Sequence, residues 1–255
     1  MSSKKHAFLQ GSNIVAFIVT VAVNALAGST TFLGGKTSGD ISDLYPTLIT
    51  PAGYTFSIWG LIYTLLLIFI VYQTLPRNRE QPFLRQVGPF FALSSIFNVL
   101  WLFLWHYELI TSSVVLMFAL LATLIAIYLR LNIGRVDVTL TEKVCVHIPF
   151  SVYLGWITVA SIANVAAALT SVGWDGGGIE PATWALLVIV VALLITLGVI
   201  TMRKDAAYGL VLVWALAGIM AKQTENQAVV LTAEVSIAII IAAIIGMAVL
   251  SRLKR

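Results

Sequence analysis

Three short runs combine indole, phenol and amide side chains at spacings that place them on one face of a helix. Trp59 and Tyr63 are four residues apart; Asn98, Trp101 and Trp105 fall at i, i+3 and i+7; Tyr153, Trp156, Ala160 and Asn164 fall at i, i+3, i+7 and i+11. Aromatic faces joined to a few amides would form a large flat pocket wall, which suits a planar or sterol-like ligand. Asn24 sits at a comparable depth in an earlier apolar run. A plainer reading is that Trp and Tyr form interfacial belts and that Asn residues join helices. Trp156 argues against a belt: it lies about nine residues inside its run, roughly 13 Å from the nearer end. An indole there must find a partner for its N–H.

The elements that must carry these runs are eight apolar stretches, at 12–31, 54–75, 87–106, 110–131, 147–170, 181–202, 206–222 and 228–250. Each approaches the roughly 20 residues a helix needs to cross the hydrocarbon core. With 60% hydrophobic and 10% charged residues and a mean hydropathy of +0.98, the 255 residues hold too little polar surface for a soluble domain. The expected fold is all-α, a polytopic transmembrane helical bundle of about eight spans. Lys4 and Lys5 before the first stretch resemble the start of a signal peptide, but no cleavage site of the small-x-small kind follows, so the stretch reads as a retained span.

Thirteen of the fifteen Lys and Arg residues occupy every second gap: Lys4 and Lys5; Arg77, Arg79 and Arg85; Arg130, Arg135 and Lys143; Arg203 and Lys204; Arg252, Lys254 and Arg255. Only Lys36 and Lys222 fall elsewhere. Basic loops are retained on the cytoplasmic side, so both termini are expected there, in a cell (plasma or inner) membrane. The seventh stretch is the shortest, yet without it the carboxyl-terminal basic residues would fall on the wrong side. A pI of about 9.3 therefore points to membrane lipids, with short basic loops against anionic headgroups, and not to nucleic acid.

Thr50 with Pro51, and Glu180 with Pro181, read as N-cap and first helical position. The connection from 31 to 52, rich in Gly, Ser, Thr and Asp, is the candidate for a lid or an ordered surface loop. Glu234, about two turns into the last span, is a candidate for ion or proton coupling because a carboxylate inside a membrane is expensive; pairing with Lys222, protonation or reach to the interface are the alternatives. His106 and His147 at span ends make no ligand set with the remaining histidine. The single Cys145 excludes an intramolecular disulfide. Asp205, beside Arg203 and Lys204, reads as a solvated loop carboxylate. No GxGxxG, P-loop, GxSxG or HExxH is present, so no metal, required cofactor or enzymatic reaction is expected.

The runs PAGYTFSIWGLIY (Pro51 to Tyr63), FNVLW (Phe97 to Trp101) and YLGWITVASIAN (Tyr153 to Asn164) resemble the TspO/MBR family of tryptophan-rich sensory or translocator proteins. The family's WxxLY-type motif corresponds to Trp59 and Tyr63, its NxxW to Asn98 and Trp101, and its WxxxAxxxN to Trp156, Ala160 and Asn164. The chain departs from the family where it has Pro51, Ala52 and Tyr54 in place of a double proline and a Trp, and where Pro149 stands about a turn before Tyr153. The resemblance covers about residues 12 to 170 and implies a five-helix membrane unit over 1–170, with 171–255 as three additional helices. It further implies a homodimer and a porphyrin, haem-related or sterol-like ligand walled by Asn24, Trp59, Tyr63, Asn98, Trp101, Trp105, Tyr153, Trp156, Ala160 and Asn164. The functional expectation is a ligand-binding membrane sensor or regulator. The alternative is a secondary transporter of a small hydrophobic or amphipathic solute, proton-coupled through Glu234. A third reading is a structural protein whose aromatics only pack helices.

Overall fold

A computed structural model describes residues 3–29 and 33–253. Lys254, Arg255 and the side chains of Lys4, Lys5 and Arg252, all used above to orient the chain, lie outside the described residues, as do Thr31 and Phe32 at the start of the long connection. The elements are α1 (Ser3–Ser29), α2 (Ser38–Leu44), a 3-10 turn (Gly53–Ser57), α3 (Ile58–Thr74), α4 (Pro82–Val87), α5 (Phe90–His106), α6 (Ile110–Arg130), α7 (Leu140–Glu142), α8 (Ile148–Ser171), α9 (Pro181–Arg203), α10 (Ala206–Lys222) and α11 (Gln227–Leu253). Among the described residues, six helices are long and apolar enough to cross a membrane. The apolar helices α5 and α10 have 17 residues each, about 25 Å at 1.5 Å per residue, within the crossing range. The protein is a polytopic helical membrane bundle.

Helix α5 packs between α1 and α6, α6 packs on α8, and α3 packs on α1 and α8. The remaining three helices, α9 to α11, pack on one another and meet the others chiefly where α10 lies along α8. Gly155 permits that approach, since a Cβ there would come within 3.1 Å of Val211 Cβ. The bundle has two apolar cores, one among α1 to α8 and one among α9 to α11. Large side chains such as Val115, Leu194 and Ile245 remain exposed on the perimeter, where lipid tails are as apolar as they are. Helix association therefore rests on close packing and interhelical hydrogen bonds.

Several local expectations change. Thr50 does not open the second span: its hydroxyl accepts from the Thr47 N–H at 2.9 Å, and the chain turns through Gly53–Ser57 before α3 starts at Ile58. Pro181 does open α9. The third span begins later than expected, because Gly88, at φ +51, separates α4 from α5. Asp205 is not solvated: it is 6% exposed, caps α10 by accepting from Tyr208 N, and accepts the Tyr128 hydroxyl at 2.9 Å. A carboxylate tying α6 to the first turn of α10 in this way fixes where α10 begins.

The connection before α3 is an ordered cover. Thr37 and Asp40 form a capping box that starts α2, and the Thr37 bonds hold the Asp40 carboxyl below its ordinary pKa. Lys36 pairs with Glu108 at 2.7 Å on one side. On the other, Lys222 pairs with Asp43, Gln223 Nε2 donates to the carbonyls of Thr47 and Thr50, and Ala52 N donates to Gly218 O at 2.9 Å. Trp214 Nε1 donates to Thr55 O at 2.9 Å. Gly218 is obligatory at this junction, since a Cβ would fall 2.0 Å from Thr55 Oγ1, on a side chain that is fully buried.

Candidate functional site

Three helices, α3, α5 and α8, bring the three runs together. The Trp59 ring of α3 is the hub: it stacks on Tyr63 at 5.6 Å between centroids and meets Trp101 at 6.2 Å, Tyr153 at 6.1 Å and Trp156 at 6.3 Å. Trp105 stacks on Trp101 at 5.7 Å and donates from Nε1 to Ser38 O in α2, joining the wall to its cover. Phe56 stands edge-on to Trp156 at 5.9 Å. Offset and edge-to-face contacts of this kind add to packing beyond the area they bury.

The amides have two different jobs. Asn164 is buried and accepts Trp101 Nε1 at 2.9 Å, while its Nδ2 donates to Ser113 Oγ at 2.9 Å; it locks the indole from behind. Asn98, with 0% exposure, accepts from Asn24 Nδ2 at 2.9 Å. The Tyr63 and Tyr153 phenols both lie beside the Asn98 amide. Even so, Tyr63 Oη, Asn98 Nδ2 and Trp156 Nε1 are buried with no protein hydrogen-bond partner among the described residues. For Trp156, 2% exposed, this corrects the expectation of a partnered indole. A buried polar group left unpaired costs about 1–3 kcal/mol, and three such groups lie around one aromatic hub.

Beside that hub lies a cavity of about 410 Å³ under the α2 cover, within the size range of small-molecule sites. Asn24, Trp59 and Tyr63 line it, together with Phe56, Leu102, His106 and the cover residues Thr37 to Gly39. Of the other expected site residues, Asn98, Trp101, Trp105, Tyr153, Trp156 and Asn164 form the wall behind, and Ala160 packs against the apolar core. His106 was not expected in the site. Its Nδ1 bonds Leu102 O at 2.9 Å, and its buried Nε2 lacks a protein partner among the described residues. The signal was the i, i+4, i+8 spacing of Asn98, Leu102 and His106, which continues the same helix face.

Glu234 stays apart. It is exposed on α11, does not line the cavity, and does not pair with Lys222, which is bound to Asp43. A larger groove of about 660 Å³ between α1 and α5, lined by Phe8, Val15, Val19, Ile96 and Leu100 among others, is almost wholly apolar and contains none of the expected site residues. Among the described residues no group of three His, Cys, Asp or Glu side chains could hold a metal ion.

Comparison with known proteins agrees with the motifs. No curated protein and no solved structure matches the chain. The family model described as TSPO-like protein matches residues 9–247. The match continues through α9, α10 and most of α11, well past residue 170 where the motif resemblance ends. The aromatic hub, its amide supports and the bundle around them thus have one common explanation: the chain belongs to the TSPO-like protein family.

Proposed function

We propose that this membrane protein is a receptor or sensor that holds a planar hydrophobic ligand, a tetrapyrrole or sterol-like molecule, in the cavity between Trp59 and the α2 cover. The observation that carries this reading is the coincidence of a 410 Å³ cavity with the Trp59 hub and with unpaired polar atoms on two of its lining residues, Tyr63 and His106. A ligand's flat face would lie along Trp59 and Tyr63, and its polar edge would meet the Asn24 amide, which Asn98 supports from behind, or His106. Trp101 and Trp156 would hold the hub from behind. In this reading residues 1–170 are the site-bearing unit and 171–255 hold its cover. The basic loops support cytoplasmic termini in a plasma or inner membrane, and the family resemblance supports a homodimer.

Added protoporphyrin is expected to quench the tryptophan emission of the purified protein saturably, with weaker binding in Trp101→Ala and Trp156→Ala. Unsaturable quenching, or affinities unchanged in both variants, would overturn the assignment. Transport coupled through Glu234 gains no support from a carboxylate that stands on the perimeter, away from the cavity.

A further inference from the structure

The buried face of α1 carries a polar stripe of which only the last member, Asn24, lines the cavity. His6, Gln10, Asn13, Phe17, Thr20 and Asn24 follow one another at i, i+4, i+7, i+11, i+14 and i+18, so they lie along a single line of the helix. All but Asn24 are buried, and Asn24 is half-buried at the cavity. Five of the six are polar. Ordinary interhelical adhesion needs one or two amides, each satisfied by its neighbour.

Here the satisfaction is incomplete. Asn13 Nδ2 donates to Gln73 Oε1 at 3.0 Å, and Gln10 and Gln73 donate to one another's backbone carbonyls. Asn13 and Gln73 both have 0% exposure. Yet Asn13 Oδ1 and His6 Nε2 find no protein partner among the described residues, and at the far end of the line the same is true of Asn98 Nδ2, whose amide is bonded to Asn24. In hydrocarbon, unpaired groups are retained only where something else pairs with them. Water is small, donates and accepts, and takes two to four polar partners. Asn13 Oδ1 is free to accept, and the Gln10 and Gln73 carbonyls and Gln73 Oε1 each keep a second lone pair beside the bond they already take.

We propose that this stripe is a water file that conducts protons between the cavity and the amino-terminal end of α1, with Phe17 as its plug. Protons pass by hopping along hydrogen-bonded waters, one entering the file as one leaves, and no covalent bond of the protein changes. Phe17 is the one apolar member, and it interrupts the polar line between Asn13 and Thr20, which are seven residues or about 10 Å apart along the helix. The route passes neither Glu234 nor α9 to α11.

The test uses the full chain in phosphatidylcholine–phosphatidylglycerol vesicles that contain a pH-reporting dye. Valinomycin and a potassium gradient supply the driving potential. Phe17→Ala is expected to acidify the lumen roughly tenfold faster than wild type, the effect of lowering a barrier by about 1.4 kcal/mol. Adding Asn13→Leu or Gln73→Leu to Phe17→Ala should return the rate to that of wild type; two closures from opposite helices guard against one variant failing to fold, and each protein must elute as wild type before reconstitution. The proposal is overturned if Phe17→Ala conducts no faster than wild type. It is equally overturned if either folded double variant conducts as fast as Phe17→Ala, since such a leak would not follow the polar line.

Discussion

The interior of α1 to α8 and the interior of α9 to α11 are built from different chemistry. The first holds the aromatic hub, six buried amide-bearing residues and several unpaired polar atoms. The second is lined by aliphatic side chains such as Ile189, Leu193, Leu212, Leu216 and Ile240, and its buried Ser236 is satisfied within its own helix by Thr232 O. The described interior of the second region is aliphatic apart from Thr196 and Ser236, so it offers a ligand shape and few polar groups. Its polar contacts concentrate instead at its border, where Trp214, Gly218, Lys222 and Gln223 grip the connection that covers the cavity. One region holds the cavity and the other fastens the connection that covers it.

The comparison would break most visibly at the hub. Trp59→Ala is expected to weaken tetrapyrrole binding by at least about 2 kcal/mol, roughly thirtyfold, as truncation of a central aromatic anchor does; equilibrium binding to detergent-solubilised protein reads this directly. Gly218→Ala should come next. It forces a methyl into Thr55 across the border and should destabilise by about 1–3 kcal/mol, lowering the thermal midpoint and loosening the cover. If Gly218→Ala left both stability and ligand dissociation untouched, α10 would not be the fastening described.

Asn164→Leu leaves the Trp101 indole N–H and Ser113 without their shared partner, and should cost about 1–3 kcal/mol of stability. Its effect on affinity should be smaller than that of Trp59→Ala, because Asn164 supports the wall from behind. Lys222→Ala removes a surface ion pair and is expected to change stability by at most about 1 kcal/mol, an effect that added salt should erase. Faster ligand release in this variant at low salt would sharpen the cover assignment. Glu234→Gln should leave affinity unchanged.

The helices and the wall were legible because helical periodicity is a local property. Trp59, Trp101 and Trp156 sit in runs whose spacing alone aligns them, and each run faces the bundle interior. The fastening was not legible, because contacts such as Trp214 to Thr55 and Gln223 to Thr47 join residues more than 150 positions apart and carry no periodic signal. Thr50 misled because a Thr before Pro suits a turn as well as an N-cap, and here its hydroxyl serves Thr47. Asp205 misled because two basic neighbours suggested solvent, while Tyr128, 77 residues away, supplied a buried donor. His106 was passed over as a solitary histidine, although its helix face was already marked by Asn98. The motif resemblance stopped at 170 because α9 to α11 carry none of the three aromatic and amide motifs, although the family match includes them.

The central claim is the location of the ligand, and photolabelling tests it most directly. A photoactivatable tetrapyrrole or sterol analogue, applied to the full chain in membranes and followed by peptide mapping, is predicted to label the cavity segments around Thr37 to Gly39 and Phe56 to Tyr63, with protection by unlabelled ligand. Saturable labelling confined to the α1–α5 groove at Gly11 to Val19, with the cavity segments unlabelled, would contradict the account.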